Sequence, residues 1–159
     1  MEEQAVPFHI VLIEPEIPQN TGNIARTCAV TGATLHLVEP MGFRLTNKQL
    51  SRAGCDYWDD VTIVRWPSVE AFFEAHANDE LHLFTGRTNK LFCDAEMHPG
   101  CYLLFGRESA GIDPQILDAY ESACVRIPMR ENQRSLNLSN AVAIASYECL
   151  RQNAFMGLV

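Results

Sequence analysis

Positive charge is scarce in this sequence. Its 159 residues include 12 Lys and Arg against 20 Asp and Glu, which gives a formal net charge of −8. General nucleic-acid binders usually carry a basic excess, so this balance argues against that class. Apolar runs that reach the roughly 18 residues of a membrane span are absent as well. The chain begins Met1-Glu2-Glu3-Gln4, whereas a signal peptide begins with positive charge. We therefore expect a cytoplasmic protein without a membrane segment.

Metal-binding patterns are also missing. The six cysteines contain no C-x-x-C pair, and the five histidines show neither H-x-x-x-H nor H-E-x-x-H spacing. This spacing predicts no metal site. In a cytosolic protein, scattered cysteines of this kind are expected to be reduced, buried thiols.

Three common enzyme signatures do not occur. No G-x-G-x-x-G follows the first apolar run, no G-x-x-x-x-G-K-[ST] is found, and G-R-E-S-A-G at 106–111 differs from G-x-S-x-G. These absences argue against dinucleotide-binding, P-loop and α/β-hydrolase enzymes.

What the sequence does contain is a regular alternation of apolar runs and amphipathic segments. This alternation predicts an α/β fold with a mainly parallel sheet flanked by helices. No linker or repeat divides the chain, so we expect one domain over residues 1–159. The last helix is apolar nearly all round, which predicts burial between the sheet and another subunit. Residues 41–60 are the least regular stretch and could form a substrate-facing loop. The expected strands are Phe8–Ile13, Thr34–Val38, Val61–Val64, Leu81–Thr85, Cys101–Phe105 and Cys124–Ile127, and the expected helices are Thr21–Thr31, Ser68–Ala77, a short helix opened by Asp113-Pro114, and Ser139–Gln152.

Polar segments follow several of these strands, at the edge where open α/β sheets bind ligands. In the first segment, Asn20, Asn23 and Arg26 are about one helical turn apart and can present their polar groups on one face. Helix capping and a solvated arginine would explain the same residues. The second segment, Leu103–Gly111, ends a strand at Gly106, where the backbone can approach a ligand closely. A tight turn with charged tips is the alternative.

A third polar segment lies at the mouth of the last expected helix. Capping needs only one polar side chain, so a surplus here indicates a binding role near the unpaired N–H groups. Arg130 and Arg134 come just before, and a guanidinium suits phosphate recognition, although a solvated loop would carry the same charge. The surplus consists of four Ser or Asn residues in six positions: Ser135, Asn137, Ser139 and Asn140.

In this order, the three segments resemble the motifs of the SPOUT methyltransferases, most of all the small tRNA 2′-O-methyltransferases that modify the wobble pyrimidine. The similarity runs from His9 to Arg151 and includes E-P-E-I-P-Q-N-T-G-N-I-A-R, L-V-E-P-M-G-F, R-A-G-C-D-Y-W and S-L-N-L-S-N-A-V. The resemblance implies a C-terminal deep trefoil knot and a homodimer. It also implies S-adenosylmethionine as cofactor and the anticodon loop of tRNA as substrate.

The resemblance further assigns roles to individual residues. Arg26 matches the residue that activates the 2′-hydroxyl; since its pKa lies above about 12, it would need help from a phosphate or would stabilise the alkoxide instead. Asn20, Glu108 and Asn137 match positions that orient Arg26 or support the knot. Arg130 and Arg134 are expected near tRNA phosphates. The residues expected to bind the cofactor are Phe84, Thr85, Gly106, Ile127, Ser135 and Leu136.

One departure and two alternatives accompany this prediction. Relatives often carry Thr and a basic residue after the motif glutamate, whereas this chain has Ser109 and Ala110, with Arg107 before the glutamate. This difference affects the expected RNA contacts more than the reaction class. The alternatives are a SPOUT 2′-O-methyltransferase with another tRNA or ribosomal RNA target, and a non-catalytic RNA-binding relative.

Overall fold

The computed structural model describes residues 5–46 and 58–159. Its centre is a six-stranded sheet with the order β3-β2-β1-β5-β4-β6, and each neighbouring pair is parallel. The predicted α/β class with a parallel sheet is confirmed. The strands are β1 (Phe8–Ile13), β2 (Thr34–Val38), β3 (Ile63–Trp66), β4 (Leu81–Phe84), β5 (Cys101–Phe105) and β6 (Cys124–Val125).

The helices begin and end where capping groups are available. Ser68 accepts a hydrogen bond from the Ala71 N–H, and Asp113 accepts one from Gln115, as the sequence predicts. Gly32 ends the first helix in the left-handed conformation, φ 82°, and donates its N–H to the Cys28 carbonyl. The helices are α1 (Pro18–Thr31), α2 (Val69–Ala75), α3 (Pro114–Ala119) and α4 (Leu138–Gln152), with short 3₁₀ turns at Trp58–Asp60, Phe92–Asp94 and Glu121–Ala123.

Several predicted boundaries were wrong by a few residues. Helix α1 begins at Pro18 instead of Thr21, because proline suits the first helical turn and a distant glutamate binds the amides that precede it. Strand β3 is shifted two residues later than predicted, since its pairing with β2 runs up to Trp66. Strand β6 is only two residues long. Of the irregular stretch 41–60, residues 47–57 lie outside the described residues, as does most of the R-A-G-C-D-Y-W segment.

Both faces of the sheet are covered, which explains why its strands read as continuous apolar runs. Along β1, Ile10 and Leu12 face the layer formed by α1 and α4, whereas Val11 and Ile13 face the layer of α2 and α3. Of the cysteines, Cys28, Cys101, Cys124 and Cys149 are buried free thiols, and Cys93 is a free thiol at the surface, so the prediction of buried thiols was wrong for Cys93.

Helix α4 also has an outer face that the sheet does not cover. Ile144 and Tyr147 are 40% and 48% exposed, and Val30 on the neighbouring α1 is 56% exposed. These three residues are referred to below as the apolar surface. Exposed apolar clusters of this kind commonly mark an interaction site. In the described ranges, no helix combines the length and the apolarity needed to cross a membrane.

A histidine chain is buried on the other face of the sheet. The Trp66 Nε1–H donates to His36 Nδ1 at 3.0 Å, which leaves the proton of His36 on Nε2, 2.9 Å from His9 Nδ1. Burial, followed by the nearby His9 and His76, lowers the pKa of His36 to about 3. His36 is therefore neutral in the folded protein across the physiological range.

We expect these buried histidines to make the stability of the fold sensitive to mild acid. Unfolded His36 binds a proton below its ordinary pKa of 6.5, whereas the folded protein takes it up only near pH 3, so stability falls as the pH drops through that window. His36 alone should remove about 2 kcal/mol of unfolding free energy between about pH 6.5 and pH 5. Urea unfolding at both values measures this loss. The loss should be clearly smaller in His36→Leu, and an equal loss in that variant would contradict the assignment.

Candidate functional site

A cleft of about 750 Å³ opens at the carboxyl ends of β4, β5 and β6, beside the start of α4. This is the edge of an open α/β sheet where ligands bind. The segments after the three strands form its walls, and the first residues of α4 close one side. Among the residues that line it are Phe84, Thr85, Gly106, Glu108, Ile127, Arg134, Ser135, Leu136, Asn137 and, from α1, Asn20.

A chain of polar side chains joins the three predicted segments at the rim of this cleft. Asn137 Nδ2 donates to Asn20 Oδ1 at 3.2 Å, and Asn20 Nδ2 donates to Glu108 Oε1 at 3.4 Å. Asn20 is only 6% exposed, so its amide depends on these two partners. These two hydrogen bonds join residues that are 88 and 117 positions apart in the sequence.

The two ends of this polar chain bind helix termini. Glu108 accepts hydrogen bonds from the backbone N–H groups of Glu16 and Ile17, at 2.8 and 3.1 Å, just before α1. At the other end, Asn137 Oδ1 accepts from the N–H groups of Ser139 and Asn140, at 2.9 and 3.3 Å, and so caps α4. The backbone amides at the start of both helices have no partner within the helix, and the network that shapes the cleft accepts their hydrogen bonds.

Glu16 makes a reciprocal contact that the sequence did not indicate. Its Oε1 accepts from the Ser109 N–H at 3.0 Å and from the Ser109 hydroxyl at 2.7 Å. These bonds, the backbone one first, hold the pKa of Glu16 below its ordinary value. The turn after β5 is thus clasped to the start of α1 from both sides. Ser109, the residue directly after Glu108, makes this clasp.

Gly106 opens a turn that is closed by backbone hydrogen bonds. The Gly111 N–H donates to the Arg107 carbonyl at 2.7 Å, and the Arg107 N–H donates to the Gly111 carbonyl at 3.2 Å. Gly111 has φ 68°, in the region that favours glycine. A Cβ atom at position 106 would overlap the backbone of Gly111 and Ile112. The backbone of Gly106 therefore packs closely against its own turn, in addition to lining the cleft.

Two arginines assigned to the site lie apart from it. The sequence suggested that Asn20, Asn23 and Arg26 present their polar groups on one face, but the structure separates them. Asn20 is buried at the cleft, whereas Asn23 and Arg26 are exposed on α1 and do not line the cleft. Three-residue steps drift around a helix by about 60° each, and two such steps are enough to separate them. Arg130 is likewise exposed outside the lining, while Arg134 lines it.

Sequence reasoning missed one basic residue of the cleft. Arg87 lines it, just after β4, and its N–H donates to the Thr85 hydroxyl at 3.1 Å. Arg107 also lines it, 3.9 Å from Glu14. With Arg134, these residues make the mouth of the cleft basic although the chain as a whole is acidic. The position of Arg87 just after the predicted fourth strand could have indicated that it lies at the cleft.

We expect Glu108 to be important for stability as well as for the cleft. Glu108→Ala removes the acceptor for two backbone amides and for Asn20, which should cost about 2–3 kcal/mol of unfolding free energy. Glu108→Gln keeps one acceptor oxygen and should lose less. Urea unfolding measures both, with the exposed Glu131→Ala as control. Equal stability of Glu108→Ala and Glu131→Ala would show that the network contributes nothing.

Comparison with known proteins places this geometry among RNA methyltransferases. The sequence profile of the SpoU rRNA Methylase family matches residues 7–147. A tRNA (cytidine(34)-2'-O)-methyltransferase from Acidovorax sp. (strain JS42) is 45% identical over 153 residues, which cover 94% of each chain. The solved structure described as "Structural insights into the 2-OH methylation of C/U34 on tRNA" is similar with a TM-score of 0.87 at 43% identity, over 93% of this chain and 97% of that one. The SpoU methyltransferase AviRb from Streptomyces viridochromogenes, in complex with AdoMet, gives a TM-score of 0.77 at 25% identity, over 97% of this chain and 60% of that one.

Proposed function

The chain belongs to the SpoU rRNA Methylase family, and on that premise we propose that it transfers a methyl group from S-adenosylmethionine to the ribose 2′-hydroxyl of the wobble pyrimidine, position 34, of tRNA. The observation that carries the proposal is 45% identity, over nearly the whole of both chains, with a relative named for this reaction. Family membership confirms the resemblance drawn from the three motifs. We also propose a cytoplasmic location, because that is where tRNA substrates are found.

The cleft has the size and the lining that the cofactor requires. Its volume of about 750 Å³ lies within the usual range for small-molecule sites. Phe84 stacks on Phe105, with ring centroids 4.7 Å apart, and Ile127 and Leu136 add apolar surface that suits an adenine ring. Hydroxyls of Thr85 and Ser135 and the open backbone after Gly106 suit the ribose and the methionine end.

The residues of this chain then have two tasks, to position the ribose and to handle its proton. When bound, S-adenosylmethionine supplies an electrophilic methyl group, so most of the catalysis lies in alignment. We assign Arg26 as the donor that stabilises the developing 2′-oxyanion, while the proton passes to an RNA phosphate or to water, because a guanidinium does not give up its own proton at neutral pH. Asn20, Glu108 and Asn137 hold the walls of the cleft.

The knot and the homodimer belong to the same proposal. After β6, at one edge of the sheet, the chain returns to the centre, where α4 packs against α1, β1 and β5. That path is the one a C-terminal trefoil knot within a single domain would take. In a homodimer, the apolar surface of Val30, Ile144 and Tyr147 would be buried against a second copy.

The dimer would also explain the position of Arg26. Arg26 and Val30 are four residues apart on α1 and both are exposed, so they are neighbours on one face of that helix. An interface over Val30 therefore brings Arg26 close to the other subunit. We propose that Arg26 acts in the cleft of the partner chain. Arg134, which is exposed and lines the cleft, and Arg130, which is exposed outside the lining, would contact phosphates of the anticodon loop.

We expect Tyr147→Glu to convert the protein to monomers. The substitution would bury a carboxylate without a partner at the proposed interface, which is strongly unfavourable. Light scattering after size-exclusion chromatography measures the mass. Ala75→Glu introduces the same charge on the opposite layer and should leave the mass unchanged. A monomeric wild type, or a dimeric Tyr147→Glu variant, would contradict the proposed surface.

The function itself is tested by methyl transfer from labelled S-adenosylmethionine to tRNA. Two transcripts are compared, one with an ordinary ribose at position 34 and one with 2′-deoxyribose there. We expect label only in the first, recovered as a 2′-O-methylated pyrimidine. Label in both transcripts would show that the enzyme methylates a tRNA position other than 34. Label in ribosomal RNA alone would show that ribosomal RNA is the substrate. Failure to bind S-adenosylmethionine would indicate a non-catalytic relative.

A further inference from the structure

A second cluster of reactive side chains lies on β4 and β5, at the end of the strands opposite the cleft. Leu81 pairs with Tyr102, so Glu80 lies beside Cys101 at the start of both strands. His82 is two residues after Glu80 and therefore points to the same side of the sheet. Ligand atoms of Glu80, His82 and Cys101 all lie within 4.8 Å of one another.

A fourth donor comes from the helix that covers this face. Cys149 of α4 places its Sγ atom 3.8 Å from the Cys101 Sγ. Both cysteines are 1% exposed and His82 is 7% exposed. Two sulfur ligands of one tetrahedral zinc ion, each about 2.3 Å from the metal, are separated by nearly this distance. Glu80 is partly exposed, whereas the other three donors are buried, and the two thiols come from two different layers of the fold.

The carboxylate of the cluster is held in place by a residue outside it. Glu80 Oε2 is 3.0 Å from His98 Nδ1, and Glu80 Oε1 accepts from the His98 backbone N–H at 3.2 Å. The same Oε1 lies 2.7 Å from His82 Nε2. Hydrogen bonds of this kind orient the ligands of metal sites and fix which ring nitrogen is available. A metal ion would replace the proton between Glu80 and His82.

We propose that Glu80, His82 and Cys101 bind one zinc ion, with Cys149 placed to supply the fourth ligand. Thiolate, imidazole and carboxylate together are a zinc-type set, whereas Mg²⁺ and Ca²⁺ prefer oxygen alone. The ion ties β4 and β5 to α4, the helix whose first residues close the cleft. Its role is structural, and it is independent of the proposed methyl transfer.

This site escapes prediction from sequence because its ligands share no local spacing. Glu80 and His82 are two positions apart at the start of β4. His82 and Cys101 are 19 positions apart, and Cys101 and Cys149 are 48 positions apart. Only the parallel pairing of β4 with β5, and the packing of α4 on them, brings the donors together. The sequence-based expectation of no metal site relied on spacing alone.

The experiment uses the full chain, reduced and freed of metal by a chelator. Zinc titration followed by calorimetry should show one ion bound per chain, and cobalt in its place should give the near-ultraviolet band of a thiolate–cobalt bond. Cys101→Ser and His82→Gln should each weaken zinc binding about tenfold or more. Cys93→Ser, at an exposed thiol outside the cluster, is the matched control and should bind zinc as the wild type does.

Three results would overturn the proposal. These are no stoichiometric zinc binding, affinity unchanged in both Cys101→Ser and His82→Gln, or a cobalt spectrum without the thiolate band. Circular dichroism shows which variants are folded, and His82→Gln leaves both thiols in place should the cysteine variant fail to fold.

Discussion

Arg26→Ala is expected to lower the rate of methyl transfer to tRNA by about 100- to 1,000-fold at saturating substrates, which is the usual loss when one donor to a developing oxyanion is removed. Affinity for S-adenosylmethionine should stay within about twofold, since Arg26 does not line the cleft of its own chain. Single-turnover transfer of labelled methyl groups measures the first quantity, and calorimetry measures the second. Arg65→Ala, an exposed arginine on β3 at the sheet edge far from the cleft, is the control.

Mixed dimers show which cleft Arg26 serves. Ser135→Trp fills the cleft of its own chain but leaves Arg26 intact, so each variant alone should be inactive. Co-expressed at equal levels, the two chains form heterodimers that pair the open cleft of one subunit with the Arg26 of the other. If Arg26 acts across the interface, about a quarter of the wild-type rate returns, because half of the dimers are mixed and each has one working site. No recovery, with heterodimers present, would show that Arg26 acts within its own chain.

Gly106→Ala is expected to abolish cofactor binding and to remove about 3 kcal/mol of unfolding free energy. The added Cβ would overlap the backbone of Gly111 and Ile112, and a hydrogen-bonded turn cannot move aside as the end of a flexible side chain can. Displacing this turn would also pull Glu108 away from the start of α1. Calorimetry with S-adenosylmethionine and urea unfolding measure the two effects.

Gly86 provides a matched control within the same cleft. A Cβ at position 86 meets no atom within 4 Å, so Gly86→Ala should change the unfolding free energy by no more than about 0.5 kcal/mol. If Gly106→Ala were as stable as Gly86→Ala and bound the cofactor equally well, the turn after β5 would not be the rigid wall described above.

Local chemistry made much of this protein predictable from its sequence. Short apolar runs such as Phe8–Ile13 favour strands buried on both faces, and Ser68 and Asp113 cap their helices through contacts two or three residues away. The polar segments stand out because they interrupt this pattern at strand ends. All six residues that the family resemblance assigned to the cofactor line the cleft.

Long-range packing decided what the sequence could not. The order of the strands brings Glu108 to the start of α1 and Asn137 to Asn20, and these contacts set where both helices begin. The position of the cleft at the carboxyl ends of the strands is likewise set by this packing, and it takes in Asn20 but not Arg26 of the same helix. The sequence alone determined the segments and their chemistry, because capping and hydrophobic periodicity act over a few residues. Which segments meet was decided only by the tertiary structure, because pairing of strands and packing of helices join residues far apart in the chain.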